Sequence, residues 1–204
     1  MSRFEVIILA NSIKHNQHCV AGKLVSNGQW VRPVSTTEGG ELSGAQTQIK
    51  NPHGAFNVKP LQKVIMGLST PAPLINQPEN CIVDDSTWKQ NYRIAANDLG
   101  HYLDEPESIW GEGDRVDYSQ VQSGEISIRQ SLFLVKVTNL RLFLNQYDKR
   151  RVSFTYKQQK YDFAATDPKF DKLINDTSEL QGIICVSLGE PFKGNCFKLV
   201  ATVF

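Results

Sequence analysis

Residues 150–163 read Arg150-Arg151-Val152-Ser153-Phe154-Thr155-Tyr156-Lys157-Gln158-Gln159-Lys160-Tyr161-Asp162-Phe163. Val152, Phe154 and Tyr156 alternate with polar residues, the two-residue period of a strand that buries one face. Gln158-Gln159 supplies a turn, and Tyr161-Asp162-Phe163 resumes the alternation on the way back. The same pattern extends outward. Ser131 to Thr138 and Leu140 to Gln146 read as strands before it, and Gly182 to Leu188 and Cys196 to Phe204 after it. Gly189-Glu190-Pro191 and Gly194-Asn195 carry turn chemistry between the last two. Thr166-Asp167-Pro168 starts a short helix through about Ile174, because Pro suits the first helical position and Asp or Thr the cap. Many short strands with turns at this spacing make a small barrel.

The N-terminal half follows a similar plan. Phe4 to Ala10 is an apolar strand, Asn11 to His18 is polar and loop-like, and Cys19 to Val25 returns to strand. Asn27-Gly28 fits a two-residue hairpin turn whose central positions both need positive φ. Gln29 to Ser35 is the return strand, and Pro33 marks it as an edge strand or as ending there. Residues 36–60 form a long polar excursion, which in a compact domain is functional or ordered by something outside it. Leu61 to Ser69 and Asn80 to Val83 are further strands. Asp84, Asp85 and Ser86 are candidate helix caps ahead of Trp88, and Leu99, Tyr102 and Leu103 fall at helical spacing.

Composition excludes several classes. In 204 residues, 40% hydrophobic and 21% charged, Lys+Arg is 22 against Asp+Glu 21, so bulk positive charge does not drive nucleic-acid binding. The apolar run Val6 to Ala10 is too short to span a bilayer and leads into no cleavage pattern, which predicts a cytoplasmic protein. The balance hides a local split. Residues 101–125 hold seven acids (Asp104, Glu105, Glu107, Glu112, Asp114, Asp117, Glu125) and one base, Arg115, for a net −6. Residues 126–165 hold eight bases (Arg129, Lys136, Arg141, Lys149, Arg150, Arg151, Lys157, Lys160) and two acids, Asp148 and Asp162, for a net +6. Phe143, Tyr147, Phe154, Tyr156, Tyr161 and Phe163 interleave with those bases. Rings that stack bases, with cations along the phosphates, are how small barrels hold single strands. The same alternation equally suits a core.

Chemical machinery is sparse. Cys19, Cys81, Cys185 and Cys196 include no C-x-x-C pair. His15, His18 and Cys19 lie close together but lack a fourth ligand nearby, so no metal and no cofactor is predicted. No G-x-S-x-G, Walker loop, H-E-x-x-H or G-x-G-x-x-G occurs, and no catalytic residue is assigned. Asn11, Ser12 and Lys14 follow the first strand, and Trp30, Arg32 and Ser35 lie on or just after the return strand. If those ends meet, a guanidinium, an ammonium, an amide and hydroxyls suit phosphate or carboxylate, with Trp30 stacking a base or filling the barrel. The alternative pairs Arg32 with Glu5 or Glu41 and leaves Ser12 to cap a turn. In the second half, Lys193 and Lys198 flank the Gly194-Asn195 turn.

These stretches also carry a resemblance. Asn11-Ser12-Ile13-Lys14, Cys19-Val20-Ala21-Gly22 and Gln29-Trp30-Val31-Arg32-Pro33-Val34-Ser35 resemble the N-terminal signature of the bacterial dual OB-containing domain proteins. Gln77-Pro78-Glu79-Asn80, Tyr161 to Asp167-Pro168, Cys185 to Phe192 and Cys196 to Ala201 are similar to its later landmarks. The resemblance covers nearly the whole chain. It implies a mostly β chain with short helices and two small OB-like barrels, 1–84 and 127–204, joined by a helical, acidic connector at 85–126. It further implies nucleic-acid binding. The reading is a non-enzymatic binder of single-stranded DNA or RNA, through Asn11, Ser12, Lys14, Trp30, Arg32, Ser35, Arg150, Arg151, Tyr156, Lys193 and Lys198. The alternatives are an accessory subunit that docks a protein through the acidic 101–125 segment, and a nucleotide pocket around Trp30, Arg32 and Lys14.

Overall fold

The computed structural model describes residues 2–14, 17–174 and 180–204. Strands make up 55% and helices 8%, in two closed five-strand barrels, so the mostly β, OB-like expectation holds. The chain divides into two compact units, Met1–Leu74 with Pro78–Tyr102, and Ile75–Gln77 with Leu103–Phe204. Among the described residues no helix is long and apolar enough to cross a membrane.

In the first unit β1 (Ser2–Lys14) pairs with β2 (Gln17–Leu24), and β2 with β3 (Trp30–Val34). Beyond the hairpin β4 (Gln48–Asn51) and β5 (Gly54–Asn57), β6 (Gln62–Pro71) pairs back onto β1. β7 (Asn80–Val83) then bridges β6 to β3, which it meets in parallel, and so closes the ring. Val6, Ile8, Val20, Val31, Val64, Met66 and Leu68 fill it. The approach of β2 to β1 is close at Gly22, where a Cβ would lie 2.1 Å from the Ile7 carbonyl oxygen, so only glycine fits.

Several expectations change here. Of the 11–18 stretch, Asn11 to Lys14 continue β1 and Gln17 and His18 start β2, so these residues are strand and not loop, while 15 and 16 lie outside the described residues. β3 is not an edge, because it lies between β2 and β7, although it stops one residue after Pro33. At Asn27-Gly28 only Gly28 has positive φ (73°), and the Gly28 N–H donates to the Leu24 carbonyl, so the loop is longer than two residues. Residues 36–60 are held from within the unit. Leu42, Ile49 and Val58 enter the core, and β4 docks in parallel on β8 (Trp88–Arg93). Trp88 therefore sits in a strand, where its buried indole outweighs the helix-cap signal of Asp84 to Ser86. The acidic connector is split: β8 and a 3-10 helix over Ala96–Tyr102 belong to the first unit, and Leu103 onward to the second.

In the second unit β9 (Arg115–Asp117) and α1 (Tyr118–Gln122) precede the ring. β10 (Leu132–Leu144) pairs with β11 (Arg150–Tyr156), which pairs with β12 (Gln159–Ala165). After α2 (Phe170–Leu173), β13 (Leu180–Phe192) returns to β10, and β14 (Asn195–Val203) pairs with β13 and, in parallel, with β12. The two strands expected over 131–146 are one, bent at a bulge between Thr138 and Arg141 where Asn139 has φ 52°. Phe154, Tyr161 and Phe163 meet at 5.3–5.4 Å between ring centroids, inside the barrel. Asp167 is structural: its Oδ1 accepts from the Lys169 N–H and its Oδ2 from the Val203 N–H, which ties the helix turn to β14.

Lys198 is 1% exposed, on the inward side of β14. Its Nζ donates to the carbonyl oxygens of Gly111 (2.8 Å), Glu112 (2.8 Å) and Gly113 (3.1 Å). The three N–H groups of an ammonium thus meet three carbonyls and staple the acidic loop to the barrel. Burial pulls its pKa down to about 8, against the pull of Asp114 and Glu112.

Two predictions follow from this architecture. The β11–β12 turn is Lys157-Gln158, not Gln158-Gln159, and both residues have positive φ (44° and 69°). That pattern favours Asn-Gly. Replacing Lys157→Asn with Gln158→Gly should raise unfolding stability by about 1 kcal/mol in urea titrations, as left-handed strain is relieved. For Lys198 the folded pKa lies below the unfolded value, so the unfolded chain binds the extra proton between about pH 8 and 10.5. Stability from this group therefore rises as pH climbs through that window. The stability advantage of wild type over Lys198→Met should widen by about 2.5 kcal/mol between pH 7 and pH 10 in denaturant titrations, as ~1.8 pKa units of linkage within that range require.

Candidate functional site

The N-terminal candidates are built into the first barrel. Asn11 lies opposite Val20 and is buried; its Nδ2 donates to the Val58 carbonyl (2.7 Å), and its Oδ1 faces His18 Nδ1 at 3.0 Å. Ser12 is buried opposite Cys19. Trp30, 7% exposed, lies under Lys23, whose Nζ is 5.3 Å from the ring centroid and donates to the Tyr102 carbonyl at 2.8 Å. Arg32 is buried in register with Asn80 of β7, and its backbone N–H donates to the Glu79 carbonyl. Glu5, one alternative partner for it, is engaged by Lys63 (3.4 Å) and by Asn91. Ser35 closes a turn by donating its N–H to the Gly40 carbonyl. The side chain of Lys14 and all of His15 lie outside the described residues. With Trp30 7% and Arg32 9% exposed, neither side chain stands on an open rim.

In the second barrel the interleaved rings and cations separate. Phe154, Tyr156, Tyr161 and Phe163 turn inward. Tyr156, 7% exposed, donates its hydroxyl to the Pro106 carbonyl (2.8 Å), and burial raises its pKa, so it is a core residue and not a stacking surface. Arg150 pairs with Asp171. Arg151 donates to the Asp162 carboxylate (2.8 Å) and carbonyl (2.7 Å), with Asp114 at 3.9 Å. Lys198 is taken by the loop carbonyls and does not flank an open turn. Lys193 is exposed beside the Phe192 ring, in a turn that is Lys193-Gly194 and not Gly194-Asn195.

The open surface lies elsewhere on this barrel. Phe143, Arg151, Ala164 and Leu199 stand side by side in register across β10, β11, β12 and β14, all half-buried and outward. Arg141 extends that face, its guanidinium 5.7 Å from the Phe143 ring centroid. Above it, the 145–149 loop presents Tyr147 at 70% exposure beside exposed Lys149. Asn145 shapes this loop. Its side-chain oxygen accepts from the N–H of Tyr147 (2.9 Å) and of Lys149 (3.0 Å), and its backbone pairs with Lys149 and Asp148. Among the described residues neither Arg141 nor Lys149 forms an ion pair within 4.0 Å. Tyr147 and Arg141 were the residues that sequence reasoning did not separate from the core aromatics. The available signal was that Tyr147 falls between the strands, where alternation no longer applies.

The acidic segment is partly engaged within its own unit. Asp104 accepts from the Leu134 N–H, Asp114 pairs with Arg115, and Asp117 caps α1 through Ser119, which holds its carboxyl below the ordinary range. Glu125 accepts from the Gln120 side chain. Glu105, Glu107 and Glu112 are exposed. Among the described residues no group of three or more His, Cys, Asp or Glu side chains is placed to hold a metal ion.

Solved structures of related shape include a murine DNA-binding protein bound to double-stranded DNA, 7% identical, with 100% of this chain and 97% of that one covered at a TM-score of 0.39. Another is the tetrameric p202 HIN2, 8% identical, with 100% and 92% covered at 0.33. Likeness this distant carries no argument about function. No curated protein matches the sequence. The model of the dual OB-containing domain matches residues 4–203, and the chain belongs to that family.

Proposed function

We propose that the protein binds single-stranded nucleic acid, without catalysis, on the outward face of its second barrel. Barrels of this kind hold oligonucleotides on the second and third strands and on the loops that flank them. The observation that carries the reading is Tyr147, an exposed ring on a loop fixed by Asn145, next to Arg141, Phe143 and Lys149. Bases stack on Tyr147 and Phe143, while Arg141, Lys149 and exposed Lys160 track the phosphates. Arg150 adds to these when phosphate replaces Asp171, since an exposed pair of this type is worth only about 0–1 kcal/mol. Stacking requires splayed bases, which favours a single strand over a duplex. The four cysteines are all thiols, which suits a reducing cytoplasm.

Labelled oligothymidylate titrated by anisotropy tests this. With about three cations engaged at roughly 0.7 counterions each, affinity should fall about twentyfold between ~50 mM and ~200 mM salt. Arg141→Ala should flatten that dependence by about 0.7 in slope. Tyr147→Ala should weaken binding about tenfold and leave the slope unchanged, as loss of one stacked base requires. Absence of binding at the lower salt sinks the proposal.

A further inference from the structure

From the geometry of the β13–β14 turn we infer a second base-stacking site, built by Phe192, Phe197, Lys193 and Arg115. This inference rests on the single-strand reading and extends it to a part of the barrel that the first face does not use. A lone exposed phenylalanine says little, because folded proteins expose many apolar atoms. Here four side chains, from three strands and the turn that joins two of them, are arranged together. Phe192 is 60% exposed, and its ring lies 6.4 Å from that of Phe197 at an angle of 52°. Lys193 places its ammonium 5.4 Å from the Phe192 centroid, and Arg115 its guanidinium 4.9 Å from the Phe197 centroid.

Arg115 comes from β9, a strand added outside the five-strand ring and paired with the start of β14. The platform is rigid. Lys193 (φ 49°) and Gly194 (φ 76°) make a two-residue turn between paired Phe192 and Asn195. The Gly194 carbonyl accepts from the Tyr118 N–H, and the Lys193 carbonyl accepts from the Asn195 side chain. An exposed ring backed by a half-buried one and flanked by cations fits a flat, electron-rich ring attached to an anion, which is a nucleobase with its phosphate.

Local charge decides which half of that ligand dominates. Asp114 lies 2.9 Å from Arg115 and neutralises it, and Asp117 on the same strand is engaged by Ser119. Lys193 is the remaining cation of the four residues. Stacking therefore outweighs phosphate attraction at this site, and its contribution is insensitive to salt. That separates it from the first face, where Arg141 and Lys149 respond to salt.

The test uses the full chain and oligothymidylate of roughly 12 nucleotides, inside the range of about 4–16 that one such barrel covers. Phe192→Ala should weaken binding about tenfold at both ~50 mM and ~200 mM salt, with a thermal melt matching wild type. Phe192→Trp should restore the affinity, and Phe192→Leu should not. Wild-type affinity in Phe192→Ala overturns the site outright, and wild-type affinity in Phe192→Leu replaces base stacking with plain apolar contact; either leaves the single-strand reading intact. Failure of wild type to bind at either salt overturns both.

Discussion

Ring closure through the parallel pairing of the third and fifth strands governs what this surface can offer. In the second barrel Ala164 and Ala165 lie against Leu199 and Val200, and that contact turns a five-strand sheet into a tube. Once the tube is closed, every second residue along β11 and β12 points into it. Phe154, Tyr156, Tyr161 and Phe163 fall on those positions, while Arg151, Ser153, Lys160 and Asp162 fall on the others. Rings and cations interleaved in sequence are thereby sorted, rings inward and cations outward. On β11 and β12 no aromatic residue falls on an outward position. The most exposed rings of this barrel lie instead where alternation ends, Tyr147 in the β10–β11 loop and Phe192 at the last position of β13. The pairings put their loops at opposite ends of the ring, since β10 and β13 run antiparallel.

Positive charge is sorted in a similar way. Lys23 and Lys198 spend their ammonium groups on backbone carbonyls, Tyr102 in one unit and the 111–113 loop in the other. A buried ammonium is tolerated only when hydrogen bonds replace its water, which these carbonyls do. Arg150 and Arg151 keep carboxylate partners at the surface. The net +6 of residues 126–165 therefore overstates the field a ligand meets. What is left, Arg129, Lys136, Arg141, Lys149 and Lys160, is dispersed over the barrel, and Lys157 donates to the Glu105 carbonyl, so ring stacking has to supply a large share of any affinity.

How far the sequence reveals this depends on the range of the interaction involved. Period-two alternation is a local property, and it located β11, β12 and β14 within a residue or two, whereas β13 runs on to Phe192 through Gly189-Glu190-Pro191, which reads as a turn in sequence. The OB circuit was legible only through the landmark stretches, because the parallel closures, Arg32 on Asn80 and Ala164 on Leu199, join residues far apart in sequence. The site was less legible. Whether Tyr156 or Tyr147 faces solvent is decided by one step of register, and both are tyrosines among bases. The 36–60 excursion went unread because Leu42, Ile49 and Val58 are spaced too widely to show a period, although each is anchored in the core. Lys198 looked like a surface cation at a turn. Its carbonyl partners lie more than eighty residues upstream, and no local pattern points to them.

Exposing Tyr147 and Phe192 forgoes the roughly 1.5–3 kcal/mol that burial of a large apolar side chain typically contributes. Neither ring is exposed because its loop is slack. Asn145 ties the 145–149 loop with two side-chain hydrogen bonds, and Lys193-Gly194 is a two-residue turn pinned by Tyr118 and Asn195. Both loops are therefore ordered before any ligand arrives, and the conformational entropy of fixing them falls on folding instead of on association. For flexible partners such as unpaired strands, whose own ordering already opposes binding, a rigid platform removes one of the two entropic costs. On the proposed reading, two fixed rings at opposite ends of one barrel would also hold a bound strand to the span between them. That geometry rewards a chain long enough to reach both over one that covers a single ring.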